Sequence, residues 1–181
     1  MKIFRVVFLV LAFTASAVAS ASDPIPWTFD MTHAEVTAVT AYAPYGTFKN
    51  GDLETYKGMF DGRERNFQFF FKNDKLEQIG IYTYEGQDAA AAGQAWLALY
   101  KSMVKQFGVV GTPNNPLPSF EAADADAAFA TRAMLIVQER GKTQMAPLKQ
   151  PPGKTVFASL ITRELNGHRF YYVILYMVRP S

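Results

Sequence analysis

The chain contains no cysteine. That excludes a thiol nucleophile, a thiolate metal site, a disulfide framework and a lipid-bearing cysteine behind a leader. Histidine is scarce too, with only His33 and His168. Neither has a second histidine or a carboxylate at ligand spacing, because His33 and Glu35, two apart, do not share a helix face. No G-x-G-x-x-G, P-loop or G-x-S-x-G pattern occurs, so nucleotide binding or an esterase-type nucleophile by those routes is unsupported. An excess of one charge is also lacking: 18 Lys and Arg stand against 16 Asp and Glu, and two of the basic residues, Lys2 and Arg5, lie in the leader described next. The longest charge cluster, Arg63-Glu64-Arg65, is mixed in sign. Without a clustered basic surface, nucleic acid is not an expected partner. No metal, no cofactor and no catalytic residue is expected; Asp124 and Asp126 sit where they would complement a helix N-terminus.

What is present begins with a leader. Lys2 and Arg5 precede an apolar run from Val6 to Phe13, and small residues follow from Ala15 to Ala21. The run is too short to span a bilayer, which takes about 20 residues. Together these are the three parts of a secretory signal peptide, with cleavage after Ala19 or Ala21. The expectation is a signal peptide over 1–21 and a single globular α+β domain over 22–181, exported to a bacterial periplasm with no membrane anchor.

The domain is expected to hold an antiparallel sheet of about six strands, a meander over 52–84 plus a hairpin over 154–178, with helices at about 32–43, 88–107 and 120–139. Thr32 and Glu35 form a capping box for the first helix, with Met31 and Val36 placed as a hydrophobic staple. Asp61-Gly62 and Asn73-Asp74 are turn signals that divide the meander. A two-residue turn at each predicts Tyr56 opposite Phe67, and Phe67 opposite Gly80. Ala89, Ala92, Trp96, Tyr100, Met103 and Phe107 recur at helical spacing until Gly108 stops them. Residues 133–148 read either as helix followed by strand or as a hairpin across Arg140-Gly141. Two Pro-rich stretches, 111–118 and 147–153, are stiff loops. The opening Met31-Thr32-x-x-Glu35-Val36 with its following meander, over residues 31–84, resembles small bacterial envelope modules of the outer-membrane-assembly lipoprotein and β-lactamase-inhibitor-protein type. The missing lipid-anchor cysteine departs from the lipoprotein pattern, and no functional residue is carried over.

The strongest hairpin signal is Asn166-Gly167. One face of that hairpin carries Val156, Ala158, Leu160, Val173, Leu175 and Met177; the other carries Phe157, Ile161, Phe170, Tyr172 and Tyr176. Antiparallel sheets usually cover one face and wet the other, so a hairpin apolar on both is either central or a binding surface. The candidate binding residues are therefore Phe157, Phe170, Tyr172 and Tyr176, with Met145 and Pro147 of an edge strand leading into the second Pro-rich loop. The functional expectation is a non-catalytic protein-binding or self-associating module whose partner is another envelope protein or itself, as a homodimer. The alternative is a small hydrolase or ligand-binding protein with a cleft between the sheet and the long helix.

Overall fold

The computed structural model describes residues 25–112 and 125–180. The expected signal peptide, most of the first Pro-rich loop and the start of the expected third helix, Asp124 included, lie outside the described residues. In chain order the elements are α1 (His33–Thr37), a 3-10 turn (Thr40–Tyr42), β1 (Gly46–Thr47), β2 (Leu53–Phe60), β3 (Arg63–Lys72), β4 (Lys75–Gly86), α2 (Ala89–Phe107), β5 (Val110–Gly111), α3 (Ala125–Arg140), β6 (Lys142–Pro147), β7 (Thr155–Leu165) and β8 (His168–Val178).

The strands form one open antiparallel sheet in the order β1-β2-β3-β4-β8-β7-β6-β5. Eight strands replace the six expected, because β1 and β5 are two residues each and so short a strand leaves no alternation to read. The order is that of two four-strand meanders joined at β4 and β8, so β1 and β5 form the two outer edges.

The local signals act through short-range chemistry. The Thr32 hydroxyl accepts from the Glu35 amide, and the Glu35 carboxylate accepts the Thr32 amide at 2.7 Å. The Thr32 amide, together with the Thr32 hydroxyl, which also donates to the Glu35 carboxylate at 2.9 Å, holds the exposed Glu35 carboxyl below its ordinary pKa. The helix then stops at Thr37 instead of running to 43. The Thr37 hydroxyl donates to the carbonyls of His33 and Ala34, and β-branched Thr37, Val39 and Thr40 are poor helix formers. Asp88 caps α2 by accepting from the Ala90 and Ala91 amides, and Gly108, at φ +80°, ends it. Residues 133–148 resolve as helix and then strand. The Gly141 amide donates to the Val137 carbonyl, closing α3, and Gly141 adopts φ +74°.

Register shows where sequence expectation and structure part. The β7–β8 hairpin pairs as expected, with Glu164 opposite Arg169 and Leu160 opposite Val173. In the meander, Phe60 pairs with Arg63, but the register shifts between Thr55 and Gly58, so Thr55 and not Tyr56 faces Phe67. A second shift, between Phe70 and Phe71, puts Ile81 opposite Phe67 and Gln68 opposite Gly80. Each bulge absorbs one residue, and a one-residue slip moves side chains to the other face. The expected aromatic-over-glycine contact exists elsewhere: a Cβ on Gly58 would lie 2.0 Å from Cδ2 of Phe67. The Phe67 ring therefore needs a bare backbone beneath it.

One face of the sheet is covered. Phe67, Phe69, Ile79, Ile81, Val173, Leu175, Met177, Val156, Ala158 and Leu160 join Trp96, Leu97, Leu99 and Met103 of α2 and Phe129, Ala133 and Val137 of α3 in one core. Over the first meander the cover comes from Val36 and from the strap before α1. Leu76 exchanges backbone hydrogen bonds with Asp30 and Met31. The Trp27 ring lies 4.7 Å from Phe69 and 5.5 Å from Phe67, and its indole N–H donates to the Val36 carbonyl.

Candidate functional site

Strand alternation sends the other set of side chains to the opposite face. On β8 these are Phe170, Tyr172, Ile174 and Tyr176. By register, Phe157 and Gly80 flank Tyr176, Ile161 and Glu85 flank Tyr172, and Ser159 and Tyr82 flank Ile174. Asn66 and Gln68 of β3 extend the rows beyond Tyr82 and Gly80. The result is a face on which four central strands carry aromatic side chains among smaller and polar ones. Ile174 is 1 % exposed, yet among the described residues it alone of the buried hydrophobics stands apart from the main core. What shelters it is its own row of neighbours.

The rings shelter one another. Phe157 and Tyr176 stack with centroids 4.9 Å apart, Phe170 and Tyr172 stack at 6.5 Å, and Tyr82 meets Tyr172 edge-on at 6.2 Å and 89°. Phe70 and Tyr176 close over Gly80, where a Cβ would stand 3.3 Å from each ring. Polar groups are threaded through the face. The Tyr82 hydroxyl donates to Gln68 Oε1 at 2.8 Å, the Gln144 amide donates to Ser159 Oγ at 3.1 Å, and Asn66 Nδ2 donates to the Glu85 carboxylate at 3.3 and 3.4 Å.

Electrostatics divide this face into two ends. Glu54 and Glu85 lie on the β2–β4 side, and Lys142 and Arg163 on the β6–β7 side. Loss of hydration raises the Glu85 carboxyl above its ordinary pKa; the Asn66 hydrogen bond opposes this and nearby Glu54 adds to it. Burial likewise raises the phenols of Tyr56, Tyr82 and Tyr176. For Tyr56 and Tyr82 the negative charges of Glu85 and Glu54 push the same way, whereas Arg163 opposes the shift at Tyr176.

Of the residues expected to bind, Phe157, Phe170, Tyr172 and Tyr176 come together here, while Met145 and Pro147 do not. Met145 is fully buried opposite Ala158, on the core side of β6. Pro147 is buried where β5 pairs with β6. Proline composition suggested an exposed edge at this point, and the two-residue strand β5 covers it. Sequence reasoning missed Tyr56, Phe70, Tyr82, Asn66 and Glu85. Alternation through Gln78, Gly80 and Tyr82 carries part of that signal, but the bulges break it.

His33 is held rather than free: Nδ1 contacts the Asp74 carboxylate, Nε2 lies 2.7 Å from the Gly51 carbonyl, and the ring stacks on Phe71 at 3.7 Å. These contacts pin the β3–β4 turn and the loop before β2 to α1, and the His33 hydrogen bonds hold the exposed Asp74 carboxyl below its ordinary range. His168 is exposed at its hairpin tip. Asp126 pairs with Lys101 of α2. Among the described residues no group of three His, Cys, Asp or Glu side chains is placed to hold a metal. Trp96, Leu97, Leu99 and Met103 fill the space between the sheet and α2. A cavity of about 300 Å³ lies instead between α2 and α3, lined chiefly by Ala89, Gly93, Ala127, Ala130 and Met134. No helix among the described residues is long and apolar enough to cross a membrane. No family model, curated protein or solved structure matches this chain.

Proposed function

We propose that this is a non-catalytic protein of the bacterial periplasm that binds another envelope protein, or a second copy of itself, through the aromatic face of its sheet. The observation that supports this most is the gathering of the partly exposed rings of Phe70, Tyr82, Phe157, Phe170, Tyr172 and Tyr176 on one face of the sheet, with α2 and α3 both on the opposite side. Large contiguous apolar surface is uncommon on proteins that act alone, and tyrosine-rich surfaces are typical of interfaces because each ring brings wide contact with little lost freedom. The split of charge suits a protein partner: a face acidic at one end and basic at the other selects an orientation. Export rests on the leader residues, and release without an anchor on the missing cysteine.

The test is alanine at Phe170, Tyr172 and Tyr176 together. Sedimentation velocity and co-purification from periplasmic extract are expected to lose the associated species while circular dichroism keeps its native form. Unchanged association in a folded triple variant would refute the interface.

A further inference from the structure

The acidic end of the face holds an arrangement that plain docking does not use. Crossing the sheet from β2 to β8, Tyr56 comes first, then Asn66, then Tyr82 and Glu85, then Tyr172. Glu85 pairs directly with Tyr172, and Asn66 with Tyr82. Asn66 is 6 % exposed and donates to Glu85 from below, while its own Oδ1 has no hydrogen-bond partner. The edge-on rings of Tyr82 and Tyr172 make two walls at right angles. On the far side stands Tyr56, 59 % exposed. Tyr56 and Tyr172 start three strand spacings apart, about 14 Å at the backbone, and the Tyr56 phenol reaches close enough to Glu85 and Tyr172 for both to act on it electrostatically.

We propose that Glu85, seated on Asn66 and bracketed by Tyr56, Tyr82 and Tyr172, binds an organic cation, an ammonium or guanidinium group. Three features converge on that chemistry. Ring faces carry negative quadrupole and attract cations, most strongly where water is displaced. The carboxylate supplies the formal charge, and among the described residues neither Glu85 nor Glu54 is ion-paired with a Lys, Arg or His. Glu85 is an exposed residue whose carboxylate is held on one side by the buried Asn66 amide and loses part of its hydration there, so it gains more from an incoming cation than a freely solvated carboxylate. The groups facing it are Glu54 and Tyr56 of β2, Asn66 of β3, Tyr82 of β4 and Tyr172 of β8, all neutral or negative. The inference rests on the reading of this face as a binding surface, and it specifies what the acidic end of that surface takes.

The cation has two possible sources, a free small molecule or a basic side chain of a protein, and two probes separate them. Tetramethylammonium chloride and the peptide acetyl-Gly-Lys-Gly-amide are titrated into the whole protein. Backbone amide shifts at Tyr56, Asn66, Glu85 and Tyr172 are followed by NMR, with sodium chloride at matched ionic strength as control. Saturating shifts with either probe and none with sodium support the site. Preference for tetramethylammonium assigns it to a quaternary small molecule, and preference for the peptide to a protein's basic side chain. Glu85→Gln keeps an acceptor for Asn66 and is expected to weaken binding about tenfold, with Tyr56→Leu weakening it several-fold. No saturation up to about 50 mM, or binding undiminished in Glu85→Gln, overturns the proposal. Neither variant alters Phe157, Phe170 or Tyr176. A failed titration beside association that remains sensitive to the triple alanine variant removes the cation site and leaves the docking face standing.

Discussion

The two faces of this sheet are built from the same strands, residue by residue in alternation, and both are apolar, yet they are buried by different means. On one, Phe67, Phe69 and Ile81 are fully buried because elements far away in sequence lie over them: Trp27, Val36, α2 and α3. On the other, the aromatic side chains are partly exposed and shelter one another, lying in stacked and edge-on pairs over Gly80 and Ile174. The comparison teaches that burial by neighbours and burial by cover differ in kind. Covered rings sit in a packed interior that does not yield, and their removal leaves a void. Rings that shelter one another keep a free side through which a partner can complete the burial.

The largest expected effect falls on the covered face. Phe67→Ala removes a ring packed between Trp27 and the bare backbone of Gly58, and is expected to destabilise the fold by about 3–5 kcal/mol, read from the urea midpoint. Tyr176→Ala on the open face is expected to destabilise it by only about 1–2 kcal/mol, because the ring is already partly exposed. A loss at Tyr176 equal to that at Phe67 would show that the open face is core in its own right, and the contrast would collapse.

The smallest effect sharpens the comparison at the acidic end. The raised Glu85 pKa means that the folded state holds this proton to higher pH than the unfolded chain does. Stability is therefore lost as pH rises from the ordinary glutamate value through the raised one. Glu85→Gln abolishes that loss. It is expected to be slightly more stable than the natural chain at pH 7, by less than about 1 kcal/mol for a half-exposed group. The advantage should vanish below the ordinary carboxylate range, as thermal unfolding at several pH values would show. A variant that gains stability while losing cation binding would mark Glu85 as kept for function. Equal stability at all pH values would show that the Glu85 carboxyl is not strained by its surroundings.

Much of the architecture is legible in the chain, and the residues explain which parts. Thr32 and Glu35, Asp88, Gly108 and Asn166-Gly167 act on backbone within a few positions, so their caps and turns follow from local chemistry. The β7–β8 register follows from its turn, and the aromatic set Phe157, Phe170, Tyr172 and Tyr176 comes with it. The bulges at 55–58, 70–71 and 82–84 carry no local signature, and the last of them sets Tyr82 and Glu85, three residues apart, on the same face. Phe67 illustrates this, since a strict two-residue register would set it over Gly80, and only the packing of Trp27 and Gly58 around it explains where it sits. Met145 reads as an edge residue beside prolines, but β5 and α3 carry it inside. Tyr56, Asn66 and Glu85 come from three strands and meet through the register of two pairings, so no spacing along the chain announces them.

By itself, then, the sequence determined the elements that depend on near neighbours: the caps, the tight turns, the long helix, the alternation that makes both faces of the final hairpin apolar, and the leader pattern behind the expected export. Only the tertiary structure decided which face α2 and α3 would cover, that two meanders would join at β4 and β8, and that Glu85 would stand over Asn66 among three tyrosines. The physical reason is range. Caps and turns are settled by hydrogen bonds across a few residues, whereas the choice of covered face is settled by the burial of surfaces that meet only when the whole chain has folded.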